Sequence, residues 1–167
     1  GASVLPVTFL MFALSSRSGS LSARIGPRLQ MTVGPLIVAV GMLLFTRVGA
    51  SGNYLLEVLP AVLLFGFGLS ITVAPLTATA LSSAPEDKTG LASAVNNTVA
   101  RTGSLLAVAL LPALAGITGD SYLHSSVFES GFQRAALIAA VVCAAAGLLS
   151  VATIRNFNRP AAEVSAA

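Results

Sequence analysis

Five long stretches without a charged residue constrain this chain more than any other feature. They run over 1–16, 29–46, 58–85, 102–119 and 135–154. An α-helix rises 1.5 Å per residue, so about 20 apolar residues cross the 30 Å hydrocarbon layer of a bilayer. Charged residues make up only 9% of the chain, against roughly 25% in ordinary soluble domains. The sequence therefore predicts a protein whose apolar surface is covered by lipid.

The five spans are predicted to be helices, because lipid offers no hydrogen-bond partner to backbone N–H and C=O groups. Runs such as 36–40 do not alternate in polarity, as the strands of a membrane barrel would. We predict an all-α polytopic membrane helix bundle. Its transmembrane helices are expected at about 4–18, 29–48, 56–82, 90–117 and 132–154, and a short tail follows at 156–167. Ser83 and Glu86 have the spacing of a capping box, which predicts that a helix begins there.

Basic residues concentrate in alternate loops, and this pattern sets the orientation, because basic loops stay on the cytoplasmic side. The second and fourth loops carry only Arg47 and Arg134. The first, third and terminal loops carry Arg17, Arg24, Arg28, Lys88, Arg101, Arg155 and Arg159. The N-terminal end is therefore predicted to lie outside and the C-terminal tail in the cytoplasm. The net charge of +3 follows from this topology and from contact with anionic lipid, so no nucleic-acid partner is expected.

The third span carries small residues on one patch and a proline further along. Gly66 and Gly68 remove side-chain bulk, and Pro75 breaks the hydrogen-bond ladder of the helix. These residues predict a helix that packs closely and bends. Tight packing without any movement remains an alternative.

Two stripes run along one side of the helix predicted at 90–117. A polar stripe contains Ser93, Asn97, Arg101 and Ser104, and a stripe of small residues contains Ala92, Asn96, Ala100, Gly103 and Ala107. Asn96, Asn97 and Arg101 are predicted to face the interior of the complete protein or its translocation path, and Gly103 to allow close packing. Arg101 would sit about 16 Å along the helix axis from Gly90. A structural or snorkelling role for Arg101 stays open beside the pathway role.

The residue inventory argues against an enzyme. His124 and Cys143 are the only histidine and cysteine, and they are too few for a multi-ligand metal site. The spans contain no paired carboxylates and no serine beside a credible base. We expect no catalytic residues, no cofactor and no metal.

The first loop resembles the loop motif of major facilitator transporters. In that motif a glycine and an aspartate–arginine pair precede a second glycine and basic residues. The matching residues are Gly19, Leu21, Arg24, Gly26 and Arg28. Ala23 stands at the aspartate position and Pro27 at one basic position. The resemblance implies a gating loop, formed by Gly19, Arg24, Gly26 and Arg28, that locks one conformation.

Residues 74–101 resemble the end of the fourteen-helix drug:proton antiporter branch of these transporters. The resemblance implies the C-terminal half of a major facilitator fold in the plasma membrane, with these spans as helices ten to fourteen. It further implies proton-driven export of small amphipathic compounds by alternating access, with the lipid bilayer and the N-terminal half of the same transporter as partners. The only Asp or Glu within the predicted spans is Glu57, at the edge of the third span, so the proton-binding carboxylates are expected elsewhere. Gly1 is not a start methionine, which also predicts a longer protein.

Two other functions remain open at this point. A self-contained five-helix module could bind or scaffold a partner, and a facilitator of this fold could carry metabolites rather than drugs. An upstream reading frame that encodes about nine further helices would favour the transporter over the module. Transport assays alone separate metabolites from drugs.

The predicted orientation can be tested by cysteine labelling in a Cys143-free background. An impermeant thiol reagent added to intact cells should modify Ser51→Cys and Ser125→Cys, because both positions lie in loops predicted to be external. Ser20→Cys should be spared, since its loop is predicted to be cytoplasmic. The reverse pattern would overturn the orientation.

Overall fold

The computed structural model describes residues 5–14, 26–48, 54–117, 119 and 124–154. Every regular element in these ranges is helical. The helices are α1 (Leu5–Leu14), α2 (Pro27–Phe45), α3 (Leu59–Ser82), α4 (Thr89–Leu114) and α5 (Ser125–Thr153). A π-helical segment, Tyr54–Val58, leads into α3, and a 3-10 turn, Glu86–Lys88, leads into α4. Four segments are long and apolar enough to cross a membrane, and α1 is a shorter apolar helix. The predicted all-α membrane helix bundle is confirmed.

Two helix boundaries differ from the predicted spans. Helix α5 begins at Ser125, seven residues before position 132, so part of the predicted outer loop is helical. At 29 residues the helix is about 44 Å long, and its polar first turns extend beyond a 30 Å hydrocarbon layer. Helix α4 ends at Leu114 rather than at 117, because the backbone turns left-handed at Gly116, with φ 77°. The N–H of Ile117 donates to the Pro112 carbonyl at 2.8 Å, which closes a Schellman motif.

The predicted capping box at Ser83 and Glu86 is wrong. Ser83 caps the end of α3 and donates its hydroxyl to the Ala80 carbonyl at 2.8 Å. Helix α4 instead begins after Lys88 and has no side-chain cap hydrogen bond. The apolar run that precedes Ser83 continues the third helix to Ser82, so the hydroxyl meets carbonyls of the turn before it rather than free N–H groups ahead of it.

Helices α2 and α3 approach each other at glycines. A Cβ on Gly68 would lie 2.8 Å from the Gly34 carbonyl oxygen, and a Cβ on Gly41 would lie 2.8 Å from the Phe65 amide nitrogen. Gly41 meets the earlier part of α3 and Gly34 the later part, so the two helices run antiparallel. Close backbone approach of this kind replaces the bulky side-chain packing of soluble helices.

Helix α5 closes onto the other side of α2. A Cβ on Gly147 would lie 3.0 Å from the Thr32 carbonyl oxygen. The hydroxyls of Thr32 and Ser150 are hydrogen-bonded at 2.8 Å. Helix α1 covers Gly66, where a Cβ would lie 3.1 Å from the Val7 Cα. The packed body therefore consists of α1, α2, α3 and α5, whereas α4 has no buried residue.

Substituting Gly68 by Ala should destabilise the protein, because backbone atoms of α2 occupy the space that the new methyl group needs. The expected loss is about 1–3 kcal/mol, the usual range for overpacking. Gly90→Ala is the matched control, since a Cβ there meets no atom within 4 Å, and it should be neutral or stabilising. Thermal unfolding midpoints of the complete protein in detergent provide the measurement. Equal midpoints for both variants would contradict this account of the interface.

Candidate functional site

Helix α4 carries the residues predicted to face the interior of the complete protein. Its membrane-length segment, Glu86–Leu114, has no buried residue, and every residue from 97 to 110 is exposed. The side chains of Asn97 and Arg101 are therefore exposed, as is the face of α4 on which they lie. A Cβ added at Gly103 would meet no atom within 4 Å. The close packing expected at Gly103 thus has no partner among the described helices.

An open groove of about 550 Å³ lies between the end of α3 and the start of α4. Ala80 of α3 and Ser83, just after that helix, line one side, and Leu91, Val95, Asn96 and Val99 line it from α4. Lys88 lies at one end of this lining, just before α4 begins. The walls are apolar apart from a few side chains, which suits the apolar part of an amphipathic molecule.

The groove separates residues that the sequence placed on neighbouring stripes. At 100° per residue, the α4 side chains that line the groove point to one side of the helix, and Ser93, Asn97 and Arg101 point to the opposite side. Asn96 thus faces α3, whereas Asn97 and Arg101 face away from it. The three residues do not form one cluster in this chain.

Arg101 is a cation on an exposed face of a membrane-length helix. It lies twelve residues past Thr89, about 18 Å along the axis. No residue in the described ranges forms a hydrogen bond or ion pair with its guanidinium group. An arginine surrounded by lipid at that depth is costly, so such residues face water or protein or reach toward the interface.

The predicted gating loop falls partly outside the described residues. Gly19 and Arg24 belong to the part that is not described, whereas Gly26 and Arg28 are placed. Gly26 has φ 88° and ψ 150°, a conformation that residues with a Cβ rarely adopt. Pro27 follows directly and opens α2, where its missing N–H costs nothing. The glycine is thus required by the backbone where the loop enters the helix.

Arg28 links the start of α2 to the end of α5. Its guanidinium Nη2 donates to the carbonyl oxygen of Val151 at 2.7 Å. Val151 belongs to the last turn of α5, where carbonyls lack partners within the helix and carry the negative end of the helix dipole. The sequence could not have predicted this contact, because a residue of any type at position 151 has the same backbone carbonyl. The only signal was the basic residue itself.

The residues singled out in the third span lie on different sides of α3. Gly66 faces α1 and Gly68 faces α2, while Pro75 is fully buried within the continuous helix. Ser70 and Thr72 donate their hydroxyls to the carbonyls of Gly66 and Gly68, both at 2.7 Å. Their polar groups are therefore satisfied inside the helix and leave its surface apolar.

The described residues include no group of three or more His, Cys, Asp or Glu side chains that could hold a metal ion. Apart from Arg101, Arg134 and Cys143, which lie within helices, their ionisable side chains lie near helix ends and in turns. What the geometry offers is an apolar groove with a few polar groups and an exposed polar stripe. Both features suit passage or binding of a small molecule.

Comparison with known proteins fixes the family. Residues 1–108 match the family model of the Major Facilitator Superfamily. The chain belongs to the Major Facilitator Superfamily. The family match and the four membrane-length helices identify a multi-pass membrane protein.

Among curated proteins, the chain is similar to the quinolone resistance protein NorB of Staphylococcus aureus. The match to NorB of strains JH9, JH1 and Mu3 is 28% identical over 162 residues. It covers 92% of this chain and 32% of NorB, so the chain spans about a third of the length of these relatives. No solved structure matches the chain significantly.

Replacing Gly26 by Leu in the complete transporter should slow transport, because the positive φ at this loop strains any residue with a Cβ. Strain of this kind costs about 1–3 kcal/mol, and a conformational step that bears it should slow by roughly fivefold or more. Gly116→Leu is the matched control, since Gly116 also has a positive φ but lies at the opposite end of the bundle. The measurement is the export rate at equal membrane abundance. Unchanged export by the Gly26 variant, or equal loss in both variants, would remove the gating role.

Proposed function

We propose that this chain is the carboxy-terminal part of a proton-coupled efflux transporter, which exports small amphipathic compounds across the plasma membrane by alternating access. The observation that carries the proposal is the exposed polar stripe of α4, with Arg101 at about 18 Å from the start of the helix. Family membership and the similarity to NorB supply the class of activity.

The exposed polar face of α4 requires contact with water or with protein, and not with lipid alone. Asn97 and Arg101 present an amide and a guanidinium on a helix that is long enough to span the bilayer. Lipid would leave both groups without hydrogen bonds, at a cost of several kcal/mol. We therefore assign this face to a water-filled translocation path or to helices of the N-terminal half of the same transporter. The relatives contain about two thirds of their length outside the matched region, which is enough chain to supply those helices.

The wall chemistry supports amphipathic substrates. The groove between α3 and α4 combines the apolar side chains of Leu91, Val95 and Val99 with the amide of Asn96 and the ammonium group of Lys88. An apolar body with a polar end fits such a surface better than a sugar does, because a sugar needs hydrogen-bond partners over its whole outline. NorB is named for quinolone resistance, and quinolone-like aromatic compounds are the first substrates to test.

Proton coupling needs a carboxylate that can change its charge within the membrane. Among the described residues, Glu57 and Glu129 lie near the starts of long helices, and Glu86 and Asp87 lie in the turn before α4. None of them lies in the middle of a described helix. The proton-binding group is therefore proposed to lie in the remainder of the transporter.

The proposed orientation places the Arg28–Val151 end of the bundle in the cytoplasm. Lys88 lies at the same end of the alternating helices, whereas Arg47 and Arg134 lie at the other. The C-terminal tail begins just after α5, and we place it on the cytoplasmic side as well.

The function is tested with the complete transporter in everted membrane vesicles. An imposed proton gradient should drive uptake of a fluorescent quinolone, and a protonophore should abolish that uptake. Vesicles without the transporter are the control. Gradient-driven uptake of a sugar or another metabolite, with none of the quinolone, would assign the transporter to metabolites and overturn the drug-export proposal.

Replacing Arg101 by Ala should lower quinolone export by roughly tenfold, which corresponds to about 1.4 kcal/mol, while membrane abundance stays unchanged. If the guanidinium makes a bidentate contact, Arg101→Lys should also lose activity. An arginine that merely reaches the interface would tolerate Lys, because both side chains snorkel.

Leu106→Ala is the matched control, since Leu106 lies about 140° around α4 from Arg101 and is 54% exposed. It should leave export near the level of the unmodified protein. Normal export by both Arg101 variants would show that the polar stripe lies outside the transport path.

A further inference from the structure

A second cavity lies at the end of the bundle opposite the Arg28–Val151 contact. Its volume is about 350 Å³, and side chains from all five helices line it. Representative wall residues are Val7 of α1, Phe45 of α2, Phe65 of α3, Leu111 of α4, and Phe132 and Ala139 of α5. We call it the five-helix cavity. It is separate from the groove between α3 and α4, and it shares no lining residue with that groove.

The walls of the five-helix cavity are entirely apolar. Each of its lining residues is Ala, Val, Leu, Met or Phe. Two of its rings, Phe45 and Phe132, meet edge to face, with centroids 6.3 Å apart and planes at 90°. Phe65 supplies a third ring. Aromatic rings in this arrangement offer both faces and edges to a further ring, which adds about 0.5–1.5 kcal/mol per ring pair beyond simple burial.

Such walls decide what the cavity can hold. An ordered water molecule needs two to four polar partners, and the wall residues offer no polar side chain that could hold one. A charged group would lose its hydration without compensation. Dry cavities lined by Leu, Ile and Phe bind small aromatic molecules such as benzene, and the volume lies within the range of small-molecule sites.

A further helix of the transporter does not fit the same space. One turn of helix is 5.4 Å long and about 10 Å wide, which amounts to roughly 420 Å³ before neighbouring turns are counted. The cavity is smaller than a single turn. A small molecule or part of one is therefore the better occupant.

We propose that the five-helix cavity binds the uncharged aromatic part of a small molecule, with Phe45, Phe65 and Phe132 as its contacts. The inference rests on the proposed function for its biological ligand, an exported aromatic compound. In this site the protein would recognise the uncharged aromatic ring of the ligand and not the ligand's charge. Polar or charged parts of the same ligand would lie outside this cavity.

The site is tested by photolabelling the complete transporter in lipid nanodiscs. The probe is 3-trifluoromethyl-3-(3-iodophenyl)diazirine, an uncharged aromatic carbene precursor, and the competitor is naphthalene. Labelling of lipid-facing residues does not saturate, whereas labelling in the cavity should saturate and fall at least severalfold with excess naphthalene. Mass spectrometry should locate the competed label on peptides that contain Phe45 or Phe132. Label that naphthalene does not displace, or that oleic acid displaces instead, would overturn the proposal.

Two variants separate the cavity from the rest of the surface. Ala139→Phe fills the cavity and should abolish the competed label, while Ala146→Phe on the exposed part of the same helix should retain it. If the Ala139→Phe variant fails to fold, the Phe132→Leu variant provides the test, because it removes one aromatic ring with little change in side-chain volume. Retention of the full competed label in Phe132→Leu would contradict the proposed contacts.

Export assays on the same transporter and variants in sealed everted vesicles keep this proposal distinct from the proposed function. Proton-driven quinolone export without competed labelling would remove the cavity site alone. Competed labelling without export would remove the efflux function and leave the binding site standing.

Discussion

The hydrocarbon core of a bilayer cannot hydrogen-bond, and this constraint governs where most polar groups of the described helices lie. Backbone groups are satisfied within helices, and the hydroxyls of Ser70 and Thr72 return to carbonyls of their own helix. Thr32 and Ser150 pair with each other between two helices. The last carbonyls of α5 receive a guanidinium from Arg28. Against this background the polar face of α4 stands out, because α4 is the one helix among α1–α5 that has no buried residue, and yet it carries the cation Arg101.

Close packing follows from the same constraint. Lipid tails are as apolar as the side chains of membrane helices, so the hydrophobic effect does not drive these helices together. They associate by van der Waals packing and by hydrogen bonds between helices. Glycines at 34, 41, 68 and 147 bring α3 and α5 against α2 until backbone atoms touch. Helix α4 has no buried glycine, and it joins the body at its ends, where Ile117 packs on Gly131. The described bundle thus combines a tightly packed core with one loosely packed helix, which is compatible with the alternating access proposed above.

The sequence predicted the helical class well, because length and apolarity alone decide it. It failed where local signals compete with tertiary ones. Ser83 and Glu86 have the spacing of a helix start, but the preceding helix runs into them and uses the hydroxyl for its own end. The charged residues Glu129 and Arg134 suggested that α5 begins later, although a helix longer than the hydrocarbon layer can keep such residues at its polar end. The Arg28–Val151 contact and the five-helix cavity depend on helices distant in sequence, and no spacing rule reveals them.

The Arg28–Val151 bond also has a consequence for biosynthesis. Its two partners are 123 residues apart in the chain, and Val151 leaves the ribosome long after Arg28 does. While the intervening helices enter the membrane, the first turn of α2 must keep its guanidinium in water or against lipid headgroups. The Thr32 hydroxyl can donate to the Arg28 carbonyl within α2 from the start, and it gains its contact with Ser150 equally late. Final docking of α2 is therefore a late event, completed when the last described helix is inserted, and a chain that stops short of residue 150 leaves that end of the bundle open.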